Sequence, residues 1–222
     1  MNAGCCEILP RVIAASVARA SLIAGCLFGL ALSTRAAEPA TIVFFGDSIT
    51  AGLGLADPDT QSYPALIGRM IAEEGLNYEI VNAGLSGDTT AGGLRRVDWT
   101  LQRKVDIFVI ALGANDGLRG VPPETTRANL QGIIDRVHER YPEAKLILAG
   151  MMMPETLGPE FTTAFRELFP SLARKNDIAL VPYLLEGVGG VPELNQGDQI
   201  HPNPRGHSIV AENVWKILRP LL

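Results

Sequence analysis

The chain has 222 residues, 47% hydrophobic and 19% charged, enough apolar material for one globular domain with a sizeable core. Its 19 basic and 24 acidic residues give a net charge of −5, which argues against a nucleic-acid partner, because that role needs a basic face. No internal repeat is visible, and no low-complexity tract longer than Met151-Met152-Met153.

The N-terminal segment reads as separate from the rest. Arg11 and Arg19 precede an uncharged apolar run, Ala20 to Leu32, followed by Ser33-Thr34-Arg35 and the small pair Ala36-Ala37. That pattern predicts a secretory signal peptide over residues 1–36, cleaved after Ala36, and a folded domain over residues 37–222. The apolar run falls short of the roughly 20 residues a bilayer span requires. The mature chain is therefore expected to carry no membrane span. The alternative is lipoprotein processing at Ile23-Ala24-Gly25-Cys26, which would leave Cys26 as a lipidated first residue. The apolar Leu27-Phe28-Gly29-Leu30 that follows is unlike the polar tether of such proteins. All three cysteines, Cys5, Cys6 and Cys26, lie in this leader, so the mature chain is expected to hold no disulfide, thiol nucleophile or thiolate metal site. Without Glu7, Arg11, Arg19 and Arg35 it keeps 16 basic and 23 acidic residues.

Beyond residue 40, short apolar runs alternate with helical patterns. Thr41–Phe45 predicts the first strand, running into Gly46-Asp47-Ser48, residue types that suit turns and helix N-caps. Pro64 sits where a helix starts, a position at which a missing N–H costs nothing. Tyr78–Val81 predicts the second strand, followed by Asn82, Gly84 and Asp88, with Asp88 and Thr89 expected to cap a helix beginning near Gly92. The third strand, Val105–Leu112, ends on Gly113-Ala114-Asn115-Asp116. After Pro122-Pro123, Leu130, Ile133, Ile134, Val137 and Tyr141 recur with helical period. Lys145–Ala149 is the fourth strand. Its exit, residues 149–165, is rich in Met, Leu and Phe, and with Leu118 it either lines an acyl-chain groove or closes the core. Phe161, Ala164, Phe165, Leu168 and Leu172 mark the next helix, Ile178–Val181 the fifth strand, and Val210, Val214, Ile217 and Leu218 the last helix.

Five largely continuous apolar strands alternating with five helices predict an α/β fold, a three-layer α/β/α sandwich with a five-stranded parallel, flavodoxin-like sheet. The expected strand order is 2-1-3-4-5. In such sheets, ligands sit beyond the carboxyl ends of the strands. Three reactive clusters fall at that edge. A fourth, Asp198 and His201, follows the long connection from Pro182 to Asn203, which can return to it.

These residue types suit acyl transfer. A serine hydroxyl needs a neighbouring base to become a nucleophile. A histidine, whose unperturbed pKa is about 6.5, can be neutral and basic near pH 7. Asp198, three residues before His201, is spaced to orient the imidazole. Glycine allows close backbone approach and an asparagine amide adds a donor for a developing oxyanion, roles for which Gly84 and Asn115 are placed. No G-x-S-x-G occurs, so the usual α/β-hydrolase elbow is excluded. Asp198, His201 and His207 lack a further ligand of recognisable spacing, so no metal site is expected. His207 is expected to pack or cap at the last helix, and His138 to lie on a solvated helix face.

In order, Gly46-Asp47-Ser48-Ile49, Gly84, Gly113-Ala114-Asn115-Asp116 and Asp198-Gln199-Ile200-His201-Pro202 resemble the GDSL, or SGNH, hydrolase family. The branch of secreted arylesterases, acyl-CoA thioesterases and lysophospholipases is most similar, sharing "GDSITAG", "NAGLSGDTT" and "GLRG". The resemblance implies Ser48 as nucleophile, His201 as base and Asp198 as its orienting carboxylate. It also implies an oxyanion hole from the N–H groups of Ser48 and Gly84 and the Asn115 side chain. No cofactor is implied; the partner is a small acyl ester or thioester such as an aryl ester, fatty-acyl thioester or lysophospholipid. The expected activity is hydrolysis through an acyl-serine intermediate, by an exported enzyme. The alternatives are a carbohydrate O-deacetylase on the same fold and a non-catalytic binding module.

Overall fold

The computed structural model of the chain describes residues 38–222, so the leader expected over residues 1–36 lies outside them. The central strands form on short runs dominated by Val, Ile, Leu and Phe. These are β1 (Ala40–Gly46), β3 (Ile107–Ala111) and β4 (Lys145–Ala149), almost wholly buried as strands covered on both faces must be. Half-buried edge strands flank them, β2 (Tyr78–Gly84) and β5 (Ala179–Val181). All neighbours pair in parallel, in the order β2-β1-β3-β4-β5 that was expected.

Helices pack in two groups. The first is α3 (Tyr63–Glu73) against α8 (Pro204–Leu218); the second is α4 (Thr90–Thr100) and α7 (Pro159–Asn176), both against α6 (Pro123–Arg140). Pro64 and Pro123 stand in the first turns of α3 and α6. Three one-turn helices lay below the reach of periodicity: α1 (Ser48–Ala51), α2 (Pro58–Gln61) and α5 (Ala114–Leu118). The third strand is shorter than its apolar run. Val105 and Leu112 are buried without belonging to it, and at its start Asp106 accepts the Thr41 N–H at Oδ2, 2.7 Å away.

Register decides where the site lies. Gly46 pairs with Gly84 on one side and Ala111 on the other, so three strands end level. The chain can then fold straight back over those ends. A Cβ on Gly46 would sit 2.0 Å from Thr50 Oγ1 and 2.9 Å from the Ala111 carbonyl; one on Gly84 would sit 2.3 Å from the Ala51 nitrogen. Both positions therefore need the bare Cα. Below, the fully buried Tyr63 shares a 2.8 Å hydrogen bond with Thr50 Oγ1 and meets Phe44 edge-on. His207 stacks on Tyr63 and accepts its N–H at Nδ1, 3.2 Å away, while burial pushes its pKa down to about 4. It packs as a neutral core histidine, as expected.

Gly46→Ala should therefore lower stability by about 1–3 kcal/mol, the usual cost of forcing atoms into a filled space. Gly197→Ala, with nothing within 4 Å of its added methyl, should change it little. Urea unfolding midpoints at constant m-value measure both.

Candidate active site

Ser48 opens α1. Asp47 caps that turn, its Oδ1 accepting the Ile49 N–H at 3.0 Å, and Gly52 closes it in the left-handed region at φ 76°. Asn82 ties the turn to β2 by donating Nδ2 to the Thr50 carbonyl at 2.8 Å.

His201 arrives on the connection between β5 and α8. Side-chain amides shape this segment by saturating its backbone. Asn195 donates to the Val188 and Val191 carbonyls (2.7 and 2.8 Å). Asn203 donates to the Glu193 carbonyl at 2.9 Å and caps α8 by accepting the N–H groups of Arg205 and Gly206. An antiparallel bridge between Asn195 and Pro202 closes the loop, which carries Asp198 and His201 back to the sheet edge.

There the three side chains meet. Asp198 Oδ2 lies 2.6 Å from His201 Nδ1, and His201 Nε2 lies 2.8 Å from Ser48 Oγ. Asp198 Oδ1 also accepts the backbone N–H groups of Ile200 and His201 (2.9 and 3.0 Å). The His201 side chain, then these two backbone donors, hold the Asp198 pKa down to about 2. A carboxylate ionised at any working pH can only accept, so Nδ1 carries the imidazole proton. Nε2 of the neutral ring is thereby free to accept the Ser48 hydroxyl proton.

The candidate oxyanion donors differ in what they already bond. The Ser48 N–H has no hydrogen-bond partner among the described residues. Asn115 spends one amide hydrogen on the Asp88 carbonyl at 2.9 Å, leaving the other unengaged. Gly84 corrects the sequence reading. Its N–H donates to Asn82 Oδ1 at 3.0 Å, and its lack of a side chain is explained by the approach of Ala51. Gly87, three residues on, is exposed at φ 79° and its N–H has no partner among the described residues. Gly87 lies in the same "NAGLSGDTT" motif as Gly84.

Supporting residues surround this edge without a local sequence pattern that marks them. Arg96 donates Nε to Asp88 Oδ2 at 2.7 Å and Nη2 to the Gly46 carbonyl at 2.9 Å, with its guanidinium 3.9 Å over the Phe45 ring. Asp88 is therefore an ion-pair partner, while Thr89 alone caps α4, accepting the Gly92 N–H. Buried Asp116 accepts both the Thr90 N–H (2.8 Å) and its Oγ1–H (2.5 Å), fixing α5 and Asn115 against α4.

The methionines divide. Met151 is buried in the core, and Met153 lays its Sδ over Gly117, where a Cβ would meet it at 2.0 Å. Met152, Leu157 and Leu118 are exposed. Leu157 and Phe161 line a hollow of about 520 Å³ with Pro123, Glu124 and Pro159.

A Ser–His–Asp series at the carboxyl edge of a parallel sheet is the arrangement of a serine hydrolase. Residues 44–209 match the GDSL-like Lipase/Acylhydrolase family, and the chain belongs to that family as an SGNH-type acyl-ester hydrolase. It is 43% identical over 205 residues to the esterase TesA of Pseudomonas aeruginosa, covering 92% of this chain and 100% of that one. It is 34% identical over 197 residues to thioesterase 1/protease 1/lysophospholipase L1 of Escherichia coli, covering 88% and 91%. A crystal structure of TesA, 42% identical, superposes with a TM-score of 0.77 over 82% of this chain and 99% of that one.

Asp47 sets a pH signature. Its Oδ2 is buried without a partner, and desolvation first, with a lesser push from Asp88, raises its pKa to about 6 against the pull of the Ile49 N–H and His201. An acid whose folded pKa exceeds its unfolded value loses stability as pH rises between the two. Asp47→Asn keeps the capping oxygen and removes the charge. It should be more stable than wild type at pH 8 by about 1–3 kcal/mol, with the gap closing near pH 4. Urea titrations at the two pH values measure the difference; a less stable variant at pH 8 would contradict the burial argument.

Proposed function

We propose that this chain is an exported serine esterase that passes an acyl group through Ser48 to water. The observation that carries the reading is the continuous hydrogen-bonded series from Asp198 through His201 to Ser48, at 2.6 and 2.8 Å. Ser48 Oγ attacks the ester or thioester carbonyl while its proton moves to His201 Nε2. Asp198 stays ionised and stabilises the imidazolium. The carbonyl oxygen, now negative, is held by the Ser48 N–H, the free Asn115 amide hydrogen and the Gly87 N–H, the last in place of Gly84. Collapse breaks the bond to the leaving alcohol or thiol, which takes the proton from Nε2. Water then repeats the sequence on the acyl-serine, releasing the acid and restoring Ser48. The steps use these side chains, backbone donors and water.

Export rests on the leader pattern of residues 1–36, and residues 37–222 form the catalytic domain. For the acyl chain, exposed Met152, Leu157 and Leu118 and the hollow lined by Phe161 favour an apolar tail over a sugar. Relatives described as an esterase and as a thioesterase/lysophospholipase support fatty-acyl esters, thioesters or lysophospholipids as the substrate class.

The test is turnover of p-nitrophenyl esters of increasing chain length. Ser48→Ala should be inactive at every length, and Asn115→Ala should lose about 10²–10³-fold in kcat at nearly constant KM. Wild-type kcat/KM should rise over the first few methylenes, each worth up to about 0.8 kcal/mol. Replacing Met152 and Leu157 together by serine should flatten that rise and spare acetyl esters. Wild-type preference for acetyl esters would remove the acyl groove and favour a carbohydrate deacetylase.

A further inference from the structure

The loop that carries the base and the turn that carries the nucleophile are 153 residues apart in sequence. Among the described residues, two hydrogen bonds join residues 182–203 to residues 48–54. One is the His201–Ser48 contact itself. The other is donated by the Gln196 side chain, Nε2 to the Leu53 carbonyl at 2.7 Å.

Gln196 is tied to both partners of the reaction. The same Nε2 donates to the Pro202 carbonyl at 3.0 Å, just past the base. Its backbone N–H donates to the His201 carbonyl at 2.8 Å, and its own carbonyl accepts the Gln199 N–H at 2.9 Å. That closes a turn in which Gln199 takes a left-handed φ of 58°. On the far side, the Leu53 N–H donates to the Ser48 carbonyl at 3.0 Å. A ring of hydrogen bonds thus runs Ser48, Leu53, Gln196, His201 and back to Ser48. Gly54 makes room for it: at φ 79°, a Cβ there would sit 2.0 Å from Gln196 Oε1.

The catalytic contact cannot hold the loop by itself, because it breaks each time Ser48 is acylated and His201 turns to the leaving group or to water. We propose that Gln196 is a positioning residue. Its carboxamide clamps the base loop to the nucleophile turn while the Ser48–His201 bond is open, and so keeps Nε2 in register for both proton transfers. This rests on the esterase reading above, and it extends the site to a residue that never touches the substrate.

Gln196→Met keeps the length of the side chain and removes both donors. Gln196→Glu keeps its shape and turns a carboxylate towards two carbonyl oxygens. In both variants kcat should fall about 10–100-fold, the scale of a misplacement near 1 Å, with KM within about twofold of wild type. Thermal unfolding measured alongside should show the variants fully folded at the assay temperature, so the loss tracks alignment and not the folded fraction. A kcat within twofold of wild type in both variants would overturn the clamp. So would a rise in KM alone, which would make Gln196 a substrate contact, or a loss of kcat that matches the unfolded fraction. A wild-type chain without turnover would overturn the esterase reading, and the clamp with it; an active wild type beside unaffected variants overturns the clamp alone.

Discussion

The level ending of three parallel strands is the constraint on which the site depends. Gly46, opposite both Gly84 and Ala111, puts the exits of β1, β2 and β3 in one row. Because neither glycine carries a Cβ, the one-turn helix of Ser48 folds back directly onto that row. From there Asn82 reaches Thr50, Arg96 reaches the Gly46 carbonyl, and the Asp88 carbonyl reaches Asn115. A strand ending on a small residue, a carboxylate and a hydroxyl is thus a way of seating a serine on a sheet edge. The turn and cap preferences of Asp47 and Ser48 serve that same end, since the Asp47 cap defines the turn Ser48 begins.

Two carboxylates show how location divides labour within one site. Asp198 is nearly half exposed and accepts three donors, so its charge is stabilised and it stays ionised to orient His201. Asp47 is buried with one oxygen unpartnered, so its charge is costly there. The first holds a proton on Nδ1; the second holds a backbone turn. Adjacent chemistry is thereby assigned by solvation and hydrogen bonding rather than by residue type.

Much of this was legible in the residues. The apolar runs of β1, β3 and β4 and the periodicity of α6, α7 and α8 announced a covered parallel sheet, and its order followed the expectation. Ser48, Asn115, Asp198 and His201 could be picked out because each lies in a motif at a strand exit or just before a helix. At Gly84 the sequence shows that the backbone must bend or be approached, but not whether its N–H is free. Asn82 Oδ1 takes that N–H, and Gly87 in the same motif keeps its own. Asp88 looked like a helix cap and instead pairs with Arg96, eight residues on, a partner no local pattern reveals. Gln196 was invisible for the same reason, since its meaning comes from Leu53, which lies 143 positions away. Helices of four and five residues, such as α1 and α5, are too short to show any periodicity.

The central claim is that Ser48 is the group that becomes acylated. A fluorophosphonate probe reacts covalently with a serine only where a base activates it and an oxyanion site accepts the developing charge. Labelling the folded protein, then digesting it and mapping the adduct by mass spectrometry, should place one phosphonyl group on the peptide containing Ser48 and none on a Ser48→Ala chain. An adduct on Ser62 or Ser86, or labelling that survives Ser48→Ala, would contradict the account.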